Sequence, residues 1–264
     1  MRTKSPTRPA RPANAASDRE YVAGLEKGLA VIEAFERRQS ALTVTEASEL
    51  AGLSRAAARR CLRTLQRLGY ADSDGKYYRL APSVLRLGHA YVSSNALPRF
   101  VQPIIEAASE RTQRSMSVAV LDRGEVLVVA RAHVRRSLES GLGTGSRLPA
   151  YCSANGRVLL SALADPDIAR LLKGITLRRL TARTKVQPRD ILKEIRAVRA
   201  RGYATNEQEV EAGVRTIAVP ICDRSGTIIA SLSLSAPVGE PARDALVKLL
   251  PELQAARSRI EAAL

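Results

Sequence analysis

The chain holds only three cysteines (Cys61, Cys152 and Cys222) and two histidines (His89 and His133), all widely separated. So sparse a set excludes a disulfide-stapled scaffold and fits a reduced, cytoplasmic protein. It offers neither an HExxH zinc site nor a closely spaced pair of histidine ligands, so no metal site is expected. A G-x-S-x-G nucleophile elbow and a Walker-type phosphate loop are missing as well. The glycine-rich stretch from Gly141 to Ser146 has the wrong spacing for a dinucleotide fingerprint. No base that sequence can identify partners Cys152 or Cys222, and a buried or semi-buried thiol is the role expected of each. No apolar run approaches eighteen residues, which argues against a membrane span. These absences point away from an enzyme and from a resident cofactor.

One further absence is local. Between Glu49 and Asp72 there is no acidic residue, and Arg55, Arg59, Arg60, Arg63 and Arg67 fall within that gap. At about 100° per residue they occupy an arc from roughly 0° to 140° of a single helix. Ala58, Cys61, Leu62, Leu65 and Leu68 fill the opposite arc. Such a helix packs by one side and offers guanidinium groups on the other, which suits a DNA major groove. The formal net charge of +16 agrees with a polyanionic partner, but the excess is spread along all 264 residues and proves little alone.

The frame around that helix predicts a winged helix-turn-helix over residues 20–81. Leu25, Leu29, Ile32 and Phe35 recur at helical steps and suggest one buried stripe on a first helix. Thr43-Val44-Thr45-Glu46 reads as a capping box that starts a second helix, with Ala47, Leu50 and Ala51 on its apolar face. Gly52 and Leu53 make the turn, Ser54 caps the arginine helix, and Gly69 ends it. Tyr70-Ala71 and Tyr77-Tyr78-Arg79-Leu80 flank the turn Asp72-Ser73-Asp74-Gly75-Lys76, a hairpin that serves as the wing. Thr43, Ser54, Arg55, Ala56, Arg59, Arg60, Arg63 and Lys76 are therefore the DNA-contact candidates, with Arg79 further back on the wing. Residues 1–19, rich in Pro, Ala, Arg and Thr, read as a disordered basic arm, either adding sequence-independent DNA contacts or dispensable.

Residues 82–98 read as a linker helix, and residues 99–264 as an α+β domain with a mostly antiparallel sheet. Helices are expected over about 103–112, 149–162, 191–201 and 242–263, with a breaker at Pro166. Strands are expected over 116–121, 126–130, 216–220 and 227–235, each pair joined by a turn at Asp122-Arg123-Gly124-Glu125 or Asp223-Arg224-Ser225-Gly226.

Four segments carry a family resemblance: Leu25-Glu26-Lys27-Gly28-Leu29-Ala30-Val31, Arg201-Gly202-Tyr203-Ala204, Gly213-Val214-Arg215-Thr216-Ile217-Ala218-Val219-Pro220 and Ser233-Leu234-Ser235-Ala236-Pro237. From Tyr21 onward the chain resembles the IclR family of transcriptional regulators. The resemblance implies a winged helix-turn-helix joined by a linker helix to a GAF-like α/β domain that binds a small effector and mediates oligomerisation. It implies a dimer or tetramer on a palindromic double-stranded operator. The stretches Tyr21 to Gly28 and Arg147 to Ser153 are similar to the subgroup controlling the β-ketoadipate pathway, whose members respond to protocatechuate, 4-hydroxybenzoate or a pathway intermediate. Carried over residue by residue, the effector contacts would be Ala154 and Asn155, where a helix start favours a carboxylate, together with Asn206, Val214, Thr216, Ser233 and Ser235. Better-studied members have Gly-Ala in place of Ala154-Asn155 and an acidic residue in place of Asn206, so the polarity here differs. Arg147, Tyr151 and Arg215 are secondary candidates for an anionic aromatic ligand, against the plainer reading of solvated or salt-bridged side chains.

The function expected is an effector-responsive, sequence-specific regulator of an aromatic-acid catabolic operon. The alternatives are a ligand-modifying enzyme with a DNA-binding appendage, a regulator of the same type in another metabolic pathway, and an architectural DNA binder.

Overall fold

The computed structural model describes residues 20–37, 41–133, 142–239 and 246–264. The basic arm expected over residues 1–19 and the glycine Gly141 lie outside the described residues, as do 242–245 of the expected last helix. The chain divides into two compact units between Ser94 and Asn95.

In the first unit, α1 (Ala23–Ala34), α2 (Val44–Ala51) and α3 (Arg55–Arg67) pack on one another and are followed by strands β1 (Ala71–Ser73) and β2 (Tyr78–Leu80) and by α4 (Leu85–Ser94). Local chemistry sets these boundaries. Thr43 Oγ1 accepts from the Glu46 amide at 3.3 Å, and the Thr43 amide donates to the Glu46 carboxylate at 2.9 Å, closing the capping box of α2. Gly52 ends α2 at φ 64°, and Ser54 Oγ accepts from the Ala57 amide at 3.3 Å to begin α3. Gly69 leaves α3 at φ 76° and feeds the hairpin, in which Ala71 faces Leu80 and Ser73 faces Tyr78. Leu42 bridges Tyr78 through two backbone bonds, so the segment before α2 extends the wing ribbon.

Two expectations of burial need correction. On α1 the buried residues are Val31 and Ala34, with Phe35 just beyond, whereas Leu25 and Leu29 are exposed. At 100° per residue Ala34 and Phe35 lie within roughly 60° of Val31, while Val22, Leu25 and Leu29 lie roughly 120–180° away. The helix thus has two apolar faces, and the sequence spacing merges them. On α3 the buried set is Ala57, Ala58, Leu62 and Leu65; Cys61 is half-buried and Leu68, at the C-cap, is exposed. Leu68 sits at the C-cap, where the chain is already turning into Gly69.

The second unit is built on a six-stranded, fully antiparallel sheet. Its helices and strands run α5 (Ala96–Thr112), β3 (Ser115–Asp122), β4 (Glu125–Ala132), β5 (Arg147–Pro149), α6 (Ala154–Leu160), α7 (Asp165–Gly174), α8 (Pro188–Arg201), β6 (Ala204–Glu207), β7 (Val214–Cys222), β8 (Ile228–Pro237) and α9 (Leu250–Ala263). The strand order is β5-β4-β3-β8-β7-β6. Period-two alternation gives the sheet two unlike faces. Met116, Val118, Ile217, Val219, Leu232 and Leu234 join Val101 and Ile105 of α5 and Leu253 and Ile260 of α9 in one apolar core. The intervening positions Ser117, Thr216, Ser231, Ser233 and Ser235 belong to the other face, against which α6 packs, with α8 and then α7 behind it.

The second unit also departs from expectation in places. α5 begins at Ala96, not near Pro103, which lies inside it. An internal proline removes one helical hydrogen bond, yet Pro103 is exposed while Val101, Ile105 and Ala108 anchor the helix on both sides. The helix expected from Pro149 starts only at Ala154, because Arg147–Pro149 pairs with β4. Pro166, expected as a breaker, occupies the first turn of α7, where its missing N–H has no partner to lose.

Candidate DNA-recognition face and ligand cleft

Arg55, Arg59, Arg60, Arg63 and Arg67 are all exposed, and none forms an ion pair with a described residue. Ala56 is exposed among them, and a methyl group at that position leaves the helix surface accessible to a base edge. Ser54 is likewise exposed at the start of α3. Thr43 is placed differently: its hydroxyl serves the capping box and donates to Glu46 Oε2 at 2.9 Å. At the wing tip Asp74 Oδ1 accepts from the amides of Tyr77 (2.8 Å) and Lys76 (3.0 Å), and these bonds hold its carboxyl below the usual range. Lys76 is exposed and stacks over the Tyr77 ring at 5.2 Å. Arg79 contacts Asp74 at 3.5 Å, so it is less available than Lys76.

On the α6 face of the sheet a cleft encloses about 520 Å³ of empty space, counting the part open to solvent. Ala154, Asn155, Asn206, Val214, Thr216, Ser233 and Ser235 all line it. They come from α6, β6, β7 and β8, and the sheet register explains their meeting. Thr216 lies between Asn206 and Ser235 on adjacent strands, and Ser117 lies opposite Ser233. Cross-strand neighbours share a face. Leu142, Leu148 and Val210 add apolar walls.

The polar groups fall into two sets. Asn155 is buried and engaged at both ends of its amide: its Nδ2 donates to Ser233 Oγ at 3.1 Å, and its Oδ1 accepts from Ser231 Oγ at 3.1 Å. Ser233 Oγ also lies 2.9 Å from Ser117 Oγ. Asn206 is likewise committed, donating to the Cys152 carbonyl and accepting from the Glu209 amide at 3.1 Å. The hydroxyls of Thr216 and Ser235, by contrast, meet no side-chain or backbone partner among the described residues. One wall is stiffened from behind. Arg157 of α6 closes a bidentate pair on Glu209, both contacts 2.7 Å, and both residues are buried. Glu209 further accepts from the Lys185 amide at 3.1 Å, and its carbonyl takes the Thr184 hydroxyl at 2.7 Å. A Cβ on Gly156 would lie 2.2 Å from the Ala150 carbonyl oxygen, so only glycine lets α6 approach that turn.

Residues 24–75 match the IclR helix-turn-helix domain, and residues 89–262 match the bacterial transcriptional regulator IclR C-terminal domain. The chain belongs to the IclR family of transcriptional regulators. It is 41% identical, over 94% of its length and 92% of the relative's, to the Pca regulon regulatory protein of Pseudomonas putida. It is 39% identical, over 81% of each chain, to the p-hydroxybenzoate hydroxylase transcriptional activator of Acinetobacter baylyi. Among solved structures, an IclR homologue from Microbacterium hydrocarbonoxydans complexed with 4-hydroxybenzoate superposes with a TM-score of 0.76 at 25% identity, covering 92% of this chain and 99% of that one.

For this IclR-family chain the three secondary candidates are employed elsewhere. Arg147 bridges Asp122 and Glu125, each at 2.7 Å. The Tyr151 hydroxyl donates to the Arg178 carbonyl at 2.6 Å, and Arg215 pairs with Glu207. Burial pushes the Tyr151 phenol and the Cys152 thiol each up to about 12. A thiol so raised is inert near neutrality. Ser117, Arg131 and the Arg157–Glu209 pair did not emerge from the sequence. Ser117 shares its strand face with no recognised motif, and the others meet their surroundings only through distant pairing. Among the described residues no cluster of His, Cys, Asp and Glu could hold a metal ion, and no helix is long and apolar enough to cross a membrane.

Proposed function

We propose that this protein is an effector-responsive regulator of an aromatic-acid catabolic operon, with a small aromatic carboxylate as its effector. The observation that carries the reading is the convergence of the seven candidate contacts on one cleft that leaves the Thr216 and Ser235 hydroxyls available. The apolar walls suit a ring, and a few placed hydroxyls suit its substituents. The relatives named for pca and p-hydroxybenzoate control support the same class of effector.

Arg55, Arg59, Arg60 and Arg63 would enter the major groove from α3, Ser54 and Ala56 would approach the backbone and base edges, and Lys76 would meet phosphate from the wing. Thr43 would act by fixing the entry of α2. The exposed apolar residues Val22 at the N-cap of α1 and Leu25 and Leu29 on it, with Leu85, Leu87 and Tyr91 on α4, support a homo-oligomer acting on a palindromic operator. Effector and operator would be coupled because the ligand has different affinities for two arrangements of the protein. The relatives' naming as transcriptional regulators favours this reading over the ligand-modifying enzyme.

The test is a melting-temperature screen of the full chain against 4-hydroxybenzoate, protocatechuate and β-ketoadipate. At a hundredfold excess over Kd, a bound effector stabilises by about 2.7 kcal/mol. A clear rise with at least one acid, recovered unchanged by mass spectrometry, is expected. No rise with any of them would remove the effector reading and favour an architectural DNA binder, and a modified product would favour the enzyme.

A further inference from the structure

Most polar groups of the cleft already answer one another. Asn155, Ser117 and Ser233 form one hydrogen-bonded cluster, Asn206 holds the Cys152 carbonyl, and Arg131 is engaged at the β4 edge. Three groups are left for a ligand: the hydroxyls of Thr216 and Ser235, and the carboxylate of Glu211. Glu211 is the sole acid among the described residues that line the cleft. It is half-buried, and its side chain meets no cation or hydrogen-bond donor among the described residues.

The turn that carries Glu211, between β6 and β7, is pinned in several places. The Gln208 amide donates to the Val214 carbonyl at 3.1 Å, and the Val214 amide donates to the Glu211 carbonyl at 3.4 Å. Gln208 Oε1 accepts from the Gly213 amide at 3.1 Å, and the Gln208 carbonyl takes the Thr181 hydroxyl at 2.7 Å. Gln208 itself sits at φ 61°, a left-handed conformation that persists where the surroundings over-determine it. Glu211 is thus presented by a fixed turn, next to Val214. Val214 and Thr216 share the cleft face of β7, two residues of strand or about 6.8 Å apart. Ser235 stands opposite Thr216. A single aromatic ring can bridge the step from the Glu211 end to that hydroxyl pair.

We propose that Glu211 is the specificity-determining residue of the cleft, accepting a hydrogen bond from a hydroxyl on the effector's ring and turning away a carboxylate at that position. This rests on the cleft being the effector site. An ionised carboxylate can only accept, so the group that faces it must donate. A phenolic hydroxyl does so, and bonds to a charged acceptor are the stronger kind. A bare ring would cover the carboxylate and leave it unanswered, which is costly. A second carboxylate would meet like charge at close range. The effector's own carboxylate is left to the far side of the ring, where Thr216 and Ser235 can donate. The cleft therefore selects hydroxylated monoacids over unsubstituted acids and over diacids of the same length.

The experiment is isothermal titration of the full chain with 4-hydroxybenzoate, benzoate and the diacid terephthalate, in the wild type, Glu211→Ala and Glu211→Gln. The wild type should bind 4-hydroxybenzoate about ten- to hundredfold more tightly than benzoate and terephthalate least of all. Glu211→Ala should lose the hydroxyl preference while binding benzoate at least as well as the wild type does. Glu211→Gln keeps an acceptor without the charge. It should retain part of the hydroxyl preference and gain terephthalate binding, a change that a merely structural role would not produce. The ligand-free melting temperatures report folding, and Glu211→Gln carries the test if the alanine variant melts low. Undiminished hydroxyl preference in Glu211→Ala, or no gain of terephthalate in Glu211→Gln, would overturn the assignment while the effector reading stands. A wild type that binds benzoate or terephthalate as tightly as 4-hydroxybenzoate would overturn it too. A wild type that binds none of the three removes the effector reading for this class of acid, and the assignment with it.

Discussion

On α3 five arginines stand exposed with no ionic partner among the described residues, whereas in the second unit Arg147, Arg157, Arg196, Arg199 and Arg215 each close on a carboxylate. The same residue type thus serves two purposes. In the second unit guanidinium groups tie strands and helices together: Arg157 joins α6 to the segment after β6, and Arg196 and Arg199 both hold Asp165, whose carboxyl they pull below its ordinary range, Arg199 most strongly. On α3 the acid-free run from Arg55 to Arg67 leaves the guanidinium groups exposed and, among the described residues, without a carboxylate partner. Net charge cannot separate the two uses. The local absence of Asp and Glu can, because an arginine with no carboxylate within reach keeps its charge for an intermolecular contact.

The largest expected effect tests the internal use. Arg157→Met removes one partner of a pair that is almost wholly buried and strands the Glu209 carboxylate away from water. Losses of that kind are about 3–5 kcal/mol, and the melting temperature should fall by about ten degrees. Arg157→Met combined with Glu209→Leu should recover most of the loss, since the stranded charge is gone. If the double variant melts as low as the single one, packing rather than charge holds α6 to the segment after β6.

That pair also marks where sequence reading stops. The capping box, the glycines Gly52 and Gly69 and the arginine arc are legible because each depends on neighbours a few residues apart. The same holds for Ser233 and Ser235, which two-residue spacing puts on one face, and Ser231 could have been added by the same rule. Arg157 and Glu209 are 52 positions apart, and Ser117 and Ser233 are 116 apart. The β3-β8 pairing brings the serines together and the packing of α6 against the sheet brings Arg157 to Glu209, and nothing local announces either. β5 was hidden for a like reason: three residues show no alternation, and only pairing with β4 makes Arg147–Pro149 a strand. On α1 the failure was of another sort. Two apolar stripes on one helix gave a periodicity that named the right residue types and the wrong buried face.

A middle-sized effect tests the external use. Arg59→Ala should weaken operator binding by about 1–3 kcal/mol if its guanidinium reads a base edge, with a much smaller loss on scrambled DNA of equal length. Electrophoretic or fluorescence titration on both sequences at fixed salt gives the comparison. An equal loss on both, accompanied by a salt slope shallower by about one, would reassign Arg59 to a phosphate contact. No loss on either would remove α3 as the reading helix, and with it the contrast between the two arginine populations.

The smallest effect separates pairing from burial. Arg170 lies 3.1 Å from Asp167 one turn earlier on α7, yet its side chain is 79% exposed and that of Asp167 50% exposed. Water screens such a pair, and fixing two long side chains offsets most of the attraction, so Arg170→Ala should change stability by less than about 0.5 kcal/mol. Thermal melting beside Arg157→Met is the appropriate comparison, since both variants break an arginine–carboxylate contact in the same unit. If Arg170→Ala destabilised the protein comparably, desolvation would not be what gives the internal arginines their weight. A near-silent Arg170→Ala would mean that an exposed pair leaves its arginine almost as available as an unpaired one, so the distinction between the two units lies in burial as well as in the count of nearby acids.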